Sequence, residues 1–524
     1  MKAKSIIVVL FLILGMNISA RSVKSPDLNG ISQSSLKGGI DFNLNLRNLK
    51  QIAEVDPRYQ SFNVEMCEVV GGKFWIPYVL LDSSKIRGRG FDALKRAIPP
   101  INLYEKKLRT LTSALRPTYI RVSGLWANST YFQDNDNPKL ETAPAGYENV
   151  LTRKEWKGVI DFCGAIDGKL VTSFSISNGM RDKEGNWTPV QVKSLINYTK
   201  SIGGKIAAAE MFNEPSHASH GSAPNNYDGS YFDRDFAAFK SFVSTAIPEM
   251  KIMGPGSTGE GGMMPGISLT TDQIFAANPK PNFDIFSYHF YGGLSKRCFG
   301  SLTPDNALTE DWLSKTELGL KYYEEARDKY QPGKQIWLTE TAEAACGGNP
   351  WSDSYLDCFR YLEQLGRLAK KNVQVVMHNT VCASEYGLLD QYTYEPRPNY
   401  WAALLWKKLM GTKVYDAGVL TEGVDVFAHS LKNSAKGIAV LIVNTKDSEQ
   451  SIMIPASAEQ YLFTADVLQP ASASELRTKA VKLNGKILNL KSDETLPDIT
   501  GKKIYPGIVK LPPHSILFLA FKNI

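Results

Sequence analysis

From about residue 58 to residue 411 the chain alternates short β-rich runs with amphipathic stretches of helical length, and eight such alternations follow one another. A strand followed by a helix is carried back to its starting edge, so repeated strand–helix units build a parallel sheet rather than hairpins. Eight units over about 350 residues suffice to close that sheet on itself, which predicts a (β/α)8 barrel, an α/β fold, with long loops. The expected strands are Gln60–Met66, Thr118–Ser123, Leu170–Ile176, Lys205–Met211, Lys251–Gly254, Phe283–Phe290, Gln335–Thr339 and Val373–Asn379. Helices are expected at Arg153–Ile166, where Thr152 and Glu155 form a capping-box pattern, and at Glu310–Tyr330, Ser354–Lys371 and Asn399–Met410.

The flanks have a different texture. After Gly411 come apolar-rich runs at Val424–Leu431, Gly437–Asn444, Gln450–Ile454, Tyr461–Leu468, Ala480–Leu490 and Ser515–Phe521, without helical periodicity, so residues 412–524 read as a β-sandwich. Ahead of the barrel, assigned to 56–411, the piece Gly39–Ile52 alternates apolar and polar residues (Ile40, Phe42, Leu44). The segment 21–55 is therefore expected to add a strand to the sandwich. Residues 1–20 have a basic start at Lys2 and Lys4, an apolar run Ile6–Met16 and small residues ending at Ala20. That is the pattern of a cleaved export signal, so the protein is expected to be secreted or periplasmic. No second apolar stretch reaches the about 18 residues that a membrane span requires.

Composition narrows the partners. A formal net charge of +7 is too mild to argue for nucleic acid, and no zinc-finger, RGG or RNP-like string occurs. The cysteines at 67, 163, 298, 346, 358 and 382 include no CxxC pair, which argues against a zinc ribbon or a thioredoxin-type site. Cys67, Cys163, Cys358 and Cys382 sit in apolar or helical contexts as core residues, whereas Cys298 and Cys346 fall in loops, where an exported protein can join them.

In a barrel of this kind the reacting groups stand at the C-terminal ends of the strands. Strand four, Ile206-Ala-Ala-Ala-Glu-Met-Phe212, ends at Asn213-Glu214-Pro215, and strand seven ends at Thr339-Glu340-Thr341. Each apolar strand thus delivers a carboxylate to the same face. Two such groups flanking one cleft supply what retaining glycoside hydrolysis needs, a proton donor for the leaving oxygen and a nucleophile for the anomeric carbon. The bland alternative is that each Glu is ion-paired to a barrel Arg or Lys. Against it stand the coincidence of two carboxylates at strands four and seven and Pro215, which stops the strand and fixes the turn that aims Glu214.

The order of motifs resembles glycoside hydrolase family 79, the heparanase and β-glucuronidase family of the clan A glycoside hydrolases. The resembling stretches are Val55-Asp-Pro-Arg-Tyr-Gln-Ser-Phe62, Tyr119-Ile-Arg-Val-Ser-Gly124, Phe212-Asn-Glu-Pro215, Tyr288-His-Phe-Tyr291, Leu338-Thr-Glu-Thr341 with Gly347-Gly348, Val375-Val-Met377 through Tyr386-Gly-Leu-Leu-Asp390, and Asn399-Tyr-Trp401 into Leu404–Val414. The resemblance implies that Glu214 is the general acid/base and Glu340 the nucleophile. It implies further that Asn213 bonds the sugar 2-OH, that Tyr291 holds the nucleophile with His289 nearby, and that Tyr386 with the backbone of Gly347 and Gly348 meets a uronate carboxylate. The substrate would then be a glucuronide conjugate or a glucuronic-acid-containing saccharide, with no cofactor and no metal. Two departures stand out: the Gly pair lies about one residue further from Glu340 than in animal heparanases, and Glu385 precedes Tyr386 where an amide is more usual. A carboxylate there would repel a uronate unless it points away.

On local pattern alone, Asn213 is also readable as a turn cap, Tyr291 as a rim phenol and Gly347-Gly348 as a plain turn. Lys85, Arg87, Arg89, Lys95 and Arg96 form a basic stretch after strand one, readable as a cleft rim that attracts an acidic saccharide or as a solvated loop. Trp75 and Trp126 suit sugar stacking or packing equally. His217 and His220 have no third metal ligand at suitable spacing, and Asn128 begins a sequon in a loop expected to face the cleft. Two other readings of the whole chain stay open: a clan A enzyme for a neutral sugar (xylosidase or arabinofuranosidase), and a non-catalytic glycan-binding barrel.

Overall fold

The computed structural model describes residues 42–81, 91–418, 422–468 and 471–522; the leader-like residues 1–20 and the basic residues Lys85, Arg87 and Arg89 lie outside them. Eight parallel strands close into a barrel in chain order: β1 (Gln60–Glu65), β2 (Thr118–Ser123), β3 (Gly168–Ser173), β4 (Ile206–Glu210), β5 (Lys251–Ser257), β6 (Ile285–Tyr291), β7 (Ile336–Ala342) and β8 (Val375–His378). Alternation along each strand separates two cores. Side chains pointing outward, such as Phe62, Val64, Ile120 and Val122, pack under the helices, while Tyr119, Val171, Ala208, Met253, Ile285, Trp337, Val375 and Met377 fill the barrel interior as an apolar plug. Above that plug the same inward register turns polar: Tyr119 is followed by Arg121 and Ser123, Ala208 by Glu210, and Ile285 by Ser287, His289 and Tyr291. The plug excludes water from below, and the polar layer above it is the floor of the site.

Strand β7 carries one extra residue against β6. Tyr288 is opposite Leu338 but His289 is opposite Glu340, leaving Thr339 unmatched. A bulge of this kind re-aims side chains, and Thr339 and Glu340 both reach the barrel axis, where Thr339 Oγ1 donates to Glu210 (3.0 Å). The helices follow their sequence signals closely. Arg153–Ala165 starts on the Thr152/Glu155 capping box, and the stretch expected as one helix from Glu310 to Tyr330 breaks at Ser314 into Glu310–Leu313 and Lys315–Tyr330.

The sandwich comprises a nine-stranded and a three-stranded sheet. Both receive N-terminal strands: Gln51–Glu54 pairs antiparallel with Met410–Tyr415, and Phe42–Asn43 pairs parallel with Gln450–Ile454. The strands Val424–Leu431, Ile438–Asn444 and Ser515–Phe521 are apolar on both faces because both are covered. Val424, Val426, Val440, Ile442, Leu517 and Leu519 face the small sheet, while Phe427, Leu441, Ile516 and Phe518 join the barrel's helical core. The helix Tyr355–Lys370 lies in that junction and is buried from Tyr355 to Ala369.

The junction has no spare room at Gly366, where an added Cβ would lie 2.4 Å from the Phe427 ring. Gly366→Ala is expected to lower stability by about 1–3 kcal/mol through overpacking. Gly164, also helical but with nothing within 4 Å of an added Cβ, serves as the control. Gly164→Ala should be neutral or stabilising by up to about 1 kcal/mol. Denaturant unfolding of both variants checks the pair, and equal effects would show that the close contact does not matter.

Candidate active site

The turn that bears Glu214 is held from both sides. Glu214 occupies the left-handed region (φ 51°, ψ 68°), unusual for a side chain with a Cβ, and Pro215 opens a short 3-10 turn, Pro215–His217, directly after it. Asn128 compensates by clamping the preceding peptide: its Oδ1 accepts from Asn213 N (2.8 Å) and its Nδ2 donates to Asn213 O (2.9 Å). Asn128 is therefore fully buried, not a cleft-facing glycan acceptor.

One guanidinium organises the floor. Arg121, 1% exposed, donates to Glu340 Oε2 (2.9 Å), to Glu210 Oε2 (2.7 Å) and to Asn213 Oδ1 (2.7 Å). The second oxygen of Glu340 accepts from the Tyr291 hydroxyl at 2.7 Å. His289 Nδ1 stands 3.0 Å from Glu214 Oε1 and 3.7 Å from Glu340 Oε2. One carboxylate oxygen from each of Glu214 and Glu340 and one His289 ring nitrogen all lie within 4.8 Å of one another. Among the described residues this trio is the one cluster with metal-ligand geometry, but Arg121 already places a cation on Glu340, so a metal would compete with a fixed positive charge. His217 and His220 are not part of it.

These contacts set the proton affinities. Burial lifts the Glu210 carboxyl, but the Arg121 charge and the His289 contact outweigh it and hold it well below the usual carboxylate range. Burial likewise raises Glu214, yet the hydrogen bond and charge of His289 leave it lowered. Burial disfavours the His289 cation, but the surrounding carboxylates, Glu340 foremost, push its pKa up to about 9. One proton therefore sits on the His289–Glu214 pair at neutral pH.

The opposite wall is built from β1, β7 and β8. Asn379, just after β8, donates from Nδ2 to Glu65 Oε1 (2.9 Å), Tyr291 Oη (3.1 Å) and Tyr386 Oη (3.3 Å). Burial and then the Glu340 charge push Glu65 well above the usual carboxyl range, and its Oε2 has no partner. Burial and the nearby carboxylates also raise Tyr291 and Tyr386, which stay neutral donors. Gly347 and Gly348 have φ near +80° in a loop braced by Glu343, whose carboxylate accepts from Asn349 N, Asn349 Nδ2 and Ser352 Oγ. Gly348 N already donates to Ala344 O at 3.2 Å. Cys298 and Cys346 form a disulfide that ties this loop to the loop after β6. Glu385 does not face substrate unpaired: Arg297 Nη2 lies 2.7 Å from its Oε2, and Tyr78 N donates to its Oε1. Lys95 sits 5.5 Å from the ring centres of both Trp75 and Trp126.

The eight residues expected at the site, Asn213, Glu214, His289, Tyr291, Glu340, Gly347, Gly348 and Tyr386, all stand on strand ends or loops at this one end of the barrel. Arg121, Glu210, Glu65, Asn379 and Arg297 were not singled out from sequence. Period-two reading of β2 and β4 places Arg121 and Glu210 on the inward face, a signal sufficient to find them. The pairing of Arg297 with Glu385 crosses 88 residues and had none.

A family model described as Glycosyl hydrolase family 79, N-terminal domain, matches residues 101–366. The chain belongs to glycoside hydrolase family 79. This family 79 protein is 26% identical over 482 residues to heparanase from Bos taurus, covering 80% of this chain and 85% of that one. It is 25% identical to a hyaluronoglucuronidase from Hirudo nipponia, over 76% and 86% of the two chains. It also matches a protein named inactive heparanase-2 from Mus musculus, 26% identical over 72% of this chain and 66% of that one. In fold, the family 79 chain is similar to a 4-O-α-L-rhamnosyl-β-D-glucuronidase from Fusarium oxysporum, with a TM-score of 0.63 at 12% identity over 91% of this chain and 99% of that one. The protein is a glycoside hydrolase.

Because His289 holds its charge below about 9 and loses it above, the His289–Glu214 pair has a proton to deliver only on the acid side of that value. The alkaline limb of kcat/KM is expected near pH 9, and His289→Gln should move it to lower pH by more than about one unit. A limb that stays in place in the variant would assign the proton to another group.

Proposed function

We propose that the protein is a retaining β-glucuronidase of the heparanase type, acting on a glucuronide conjugate or a glucuronic-acid-containing saccharide. The observation that carries the mechanism is the Glu214–Glu340 approach within 4.8 Å, with Glu340 oriented through both oxygens by Arg121 and Tyr291. Inverting enzymes keep their carboxyls about 6.5–9.5 Å apart to admit a water, and retaining enzymes about 5–5.5 Å. In the first step a Glu340 oxygen forms a bond to the anomeric carbon as the bond to the leaving oxygen breaks, and the proton on the His289–Glu214 pair passes to that oxygen. In the second, Glu214 removes a proton from water, whose oxygen replaces the Glu340 ester and restores the original configuration. In this reading Asn213, held by Arg121, bonds the 2-OH, where hydrogen bonding strengthens in the oxocarbenium-like transition state.

The uronate preference is supported by the family 79 relatives named heparanase and hyaluronoglucuronidase, by Tyr386 lying against Gly348, and by the neutralisation of Glu385 by Arg297. Export is supported by the leader-like residues 1–20, and among the described residues no helix is long and apolar enough to cross a membrane.

Aryl β-glucuronide, β-xyloside and α-arabinofuranoside assays test the reading, with product anomers followed by NMR. Wild type should favour the glucuronide and release the β-anomer first. Glu340→Gln should lose at least about 10⁴-fold in kcat. Glu214→Gln should lose least on aryl substrates with good leaving groups, because these need no protonation. Preference for the neutral glycosides would make this a family member of another specificity. Wild type inert on the glucuronide and on acidic polysaccharides would contradict the glucuronidase reading.

A further inference from the structure

We infer that Arg297 is a positioning and specificity-determining residue: its buried guanidinium cancels the charge of Glu385 and holds the Gly347 loop, so that the pocket admits a carboxylate. This inference rests on the uronate reading above. Glu385 immediately precedes Tyr386, and left as a bare anion it would stand against the substrate's own carboxylate. Arg297 answers it from beneath, with its side chain 0% exposed and 2.7 Å from Glu385. The same guanidinium donates through Nη1 to Cys346 O and stacks 4.3 Å from the Tyr78 ring centre.

The pair is built into a junction of four loops. Tyr78, from the loop after β1, accepts from Arg297 N (2.9 Å) and donates to Gly348 O (3.2 Å). Ser384, from the loop after β8, donates to Gly347 O (2.8 Å). The loops after β6 and β7 are joined at Cys298–Cys346, each cysteine being next in sequence to one of the residues concerned, Arg297 and Gly347. An added Cβ at Gly347 would lie 2.4 Å from Arg297 Nη1 and from Ser384 Oγ, so this glycine lets the loop rest directly on the cation. Buried charges persist where a partner neutralises them, and here the partner decides what charge the wall shows to the cleft. With the pair intact the wall is neutral; without Arg297 it is an anion facing an anion.

The test compares an aryl β-glucuronide with the aryl β-xyloside, which has the same ring without the carboxylate, in four forms of the full chain: wild type, Arg297→Met, Glu385→Gln and the double variant. Arg297→Met should lower kcat/KM on the glucuronide on the order of 30-fold, mostly in KM, and change the xyloside less than about 3-fold. The double variant should recover at least about tenfold of the glucuronide loss, because it removes the uncompensated anion. Glu385→Gln alone leaves the cation in place and should lower the glucuronide KM by a larger factor than the xyloside KM, which keeps the inference testable if Arg297→Met does not fold. Equal losses on both substrates, or no recovery in the double variant, would make Arg297 a purely structural brace and overturn the inference. Wild type without glucuronide activity would instead overturn the underlying reading.

Discussion

The site depends on one buried guanidinium. Arg121 rises from the inward face of β2 above an apolar plug, where an unpaired cation would cost several kcal/mol, and it is satisfied by Glu210 and Glu340 together with the Asn213 amide oxygen. Each partner comes from a different part of the barrel: Glu210 from β4, Asn213 from the turn beyond it, Glu340 from β7. The electrostatic requirement of one side chain therefore fixes the spacing between the two strand ends that carry the chemistry. Guanidinium suits this task because its planar fork meets several acceptors at once and keeps its charge.

In the proposed mechanism that arrangement also explains how two glutamates of similar burial take different roles. Glu340 is held through both oxygens by donors, Arg121 on one and Tyr291 on the other, which presents an oriented carboxylate. Glu214 instead shares His289, and the proposed acid catalysis draws on that shared proton. When, in that mechanism, Glu340 becomes an ester its charge disappears, and the largest influence holding the proton on His289 goes with it. The pair is then free to lose and regain a proton between the two steps, as double displacement requires. An ion pair to a barrel arginine, set against catalysis on sequence grounds, is present at Glu340, and the proposed mechanism uses it, since Arg121 orients the carboxylate.

Much of this was legible in the sequence because the barrel signals are local. Strand runs bounded by turns and amphipathic helices predicted all eight strands within a few residues, and the Thr152/Glu155 capping box placed a helix start. The positions of Glu214 and Glu340 at one end of the barrel were readable because each closes an apolar run. What escaped depended on pairings distant in sequence or on irregular backbone. The β7 bulge that turns both Thr339 and Glu340 inward has no composition cue, and Asn379 acts only through partners on β1, β6 and the loop after β8. Glu385 looked like an obstacle to a uronate because its partner Arg297 lies on another loop. In the sandwich, the edge strands Lys502–Ile504 and Gly507–Leu511 were missed, the first being polar and the second only five residues long.

The central claim is that Glu340, poised by Arg121 and Tyr291, forms the covalent bond to a glucuronyl group. Treating the enzyme with 2-deoxy-2-fluoro-β-glucuronyl fluoride, a substrate whose fluorine slows the second step, and mapping the adduct by peptide mass spectrometry tests it most directly. The account predicts one glucuronyl group per chain, on the peptide containing Glu340. An adduct on Glu214, Glu210 or Glu65, or hydrolysis of the substrate by a trapped-intermediate-free route with inverted product, would contradict it.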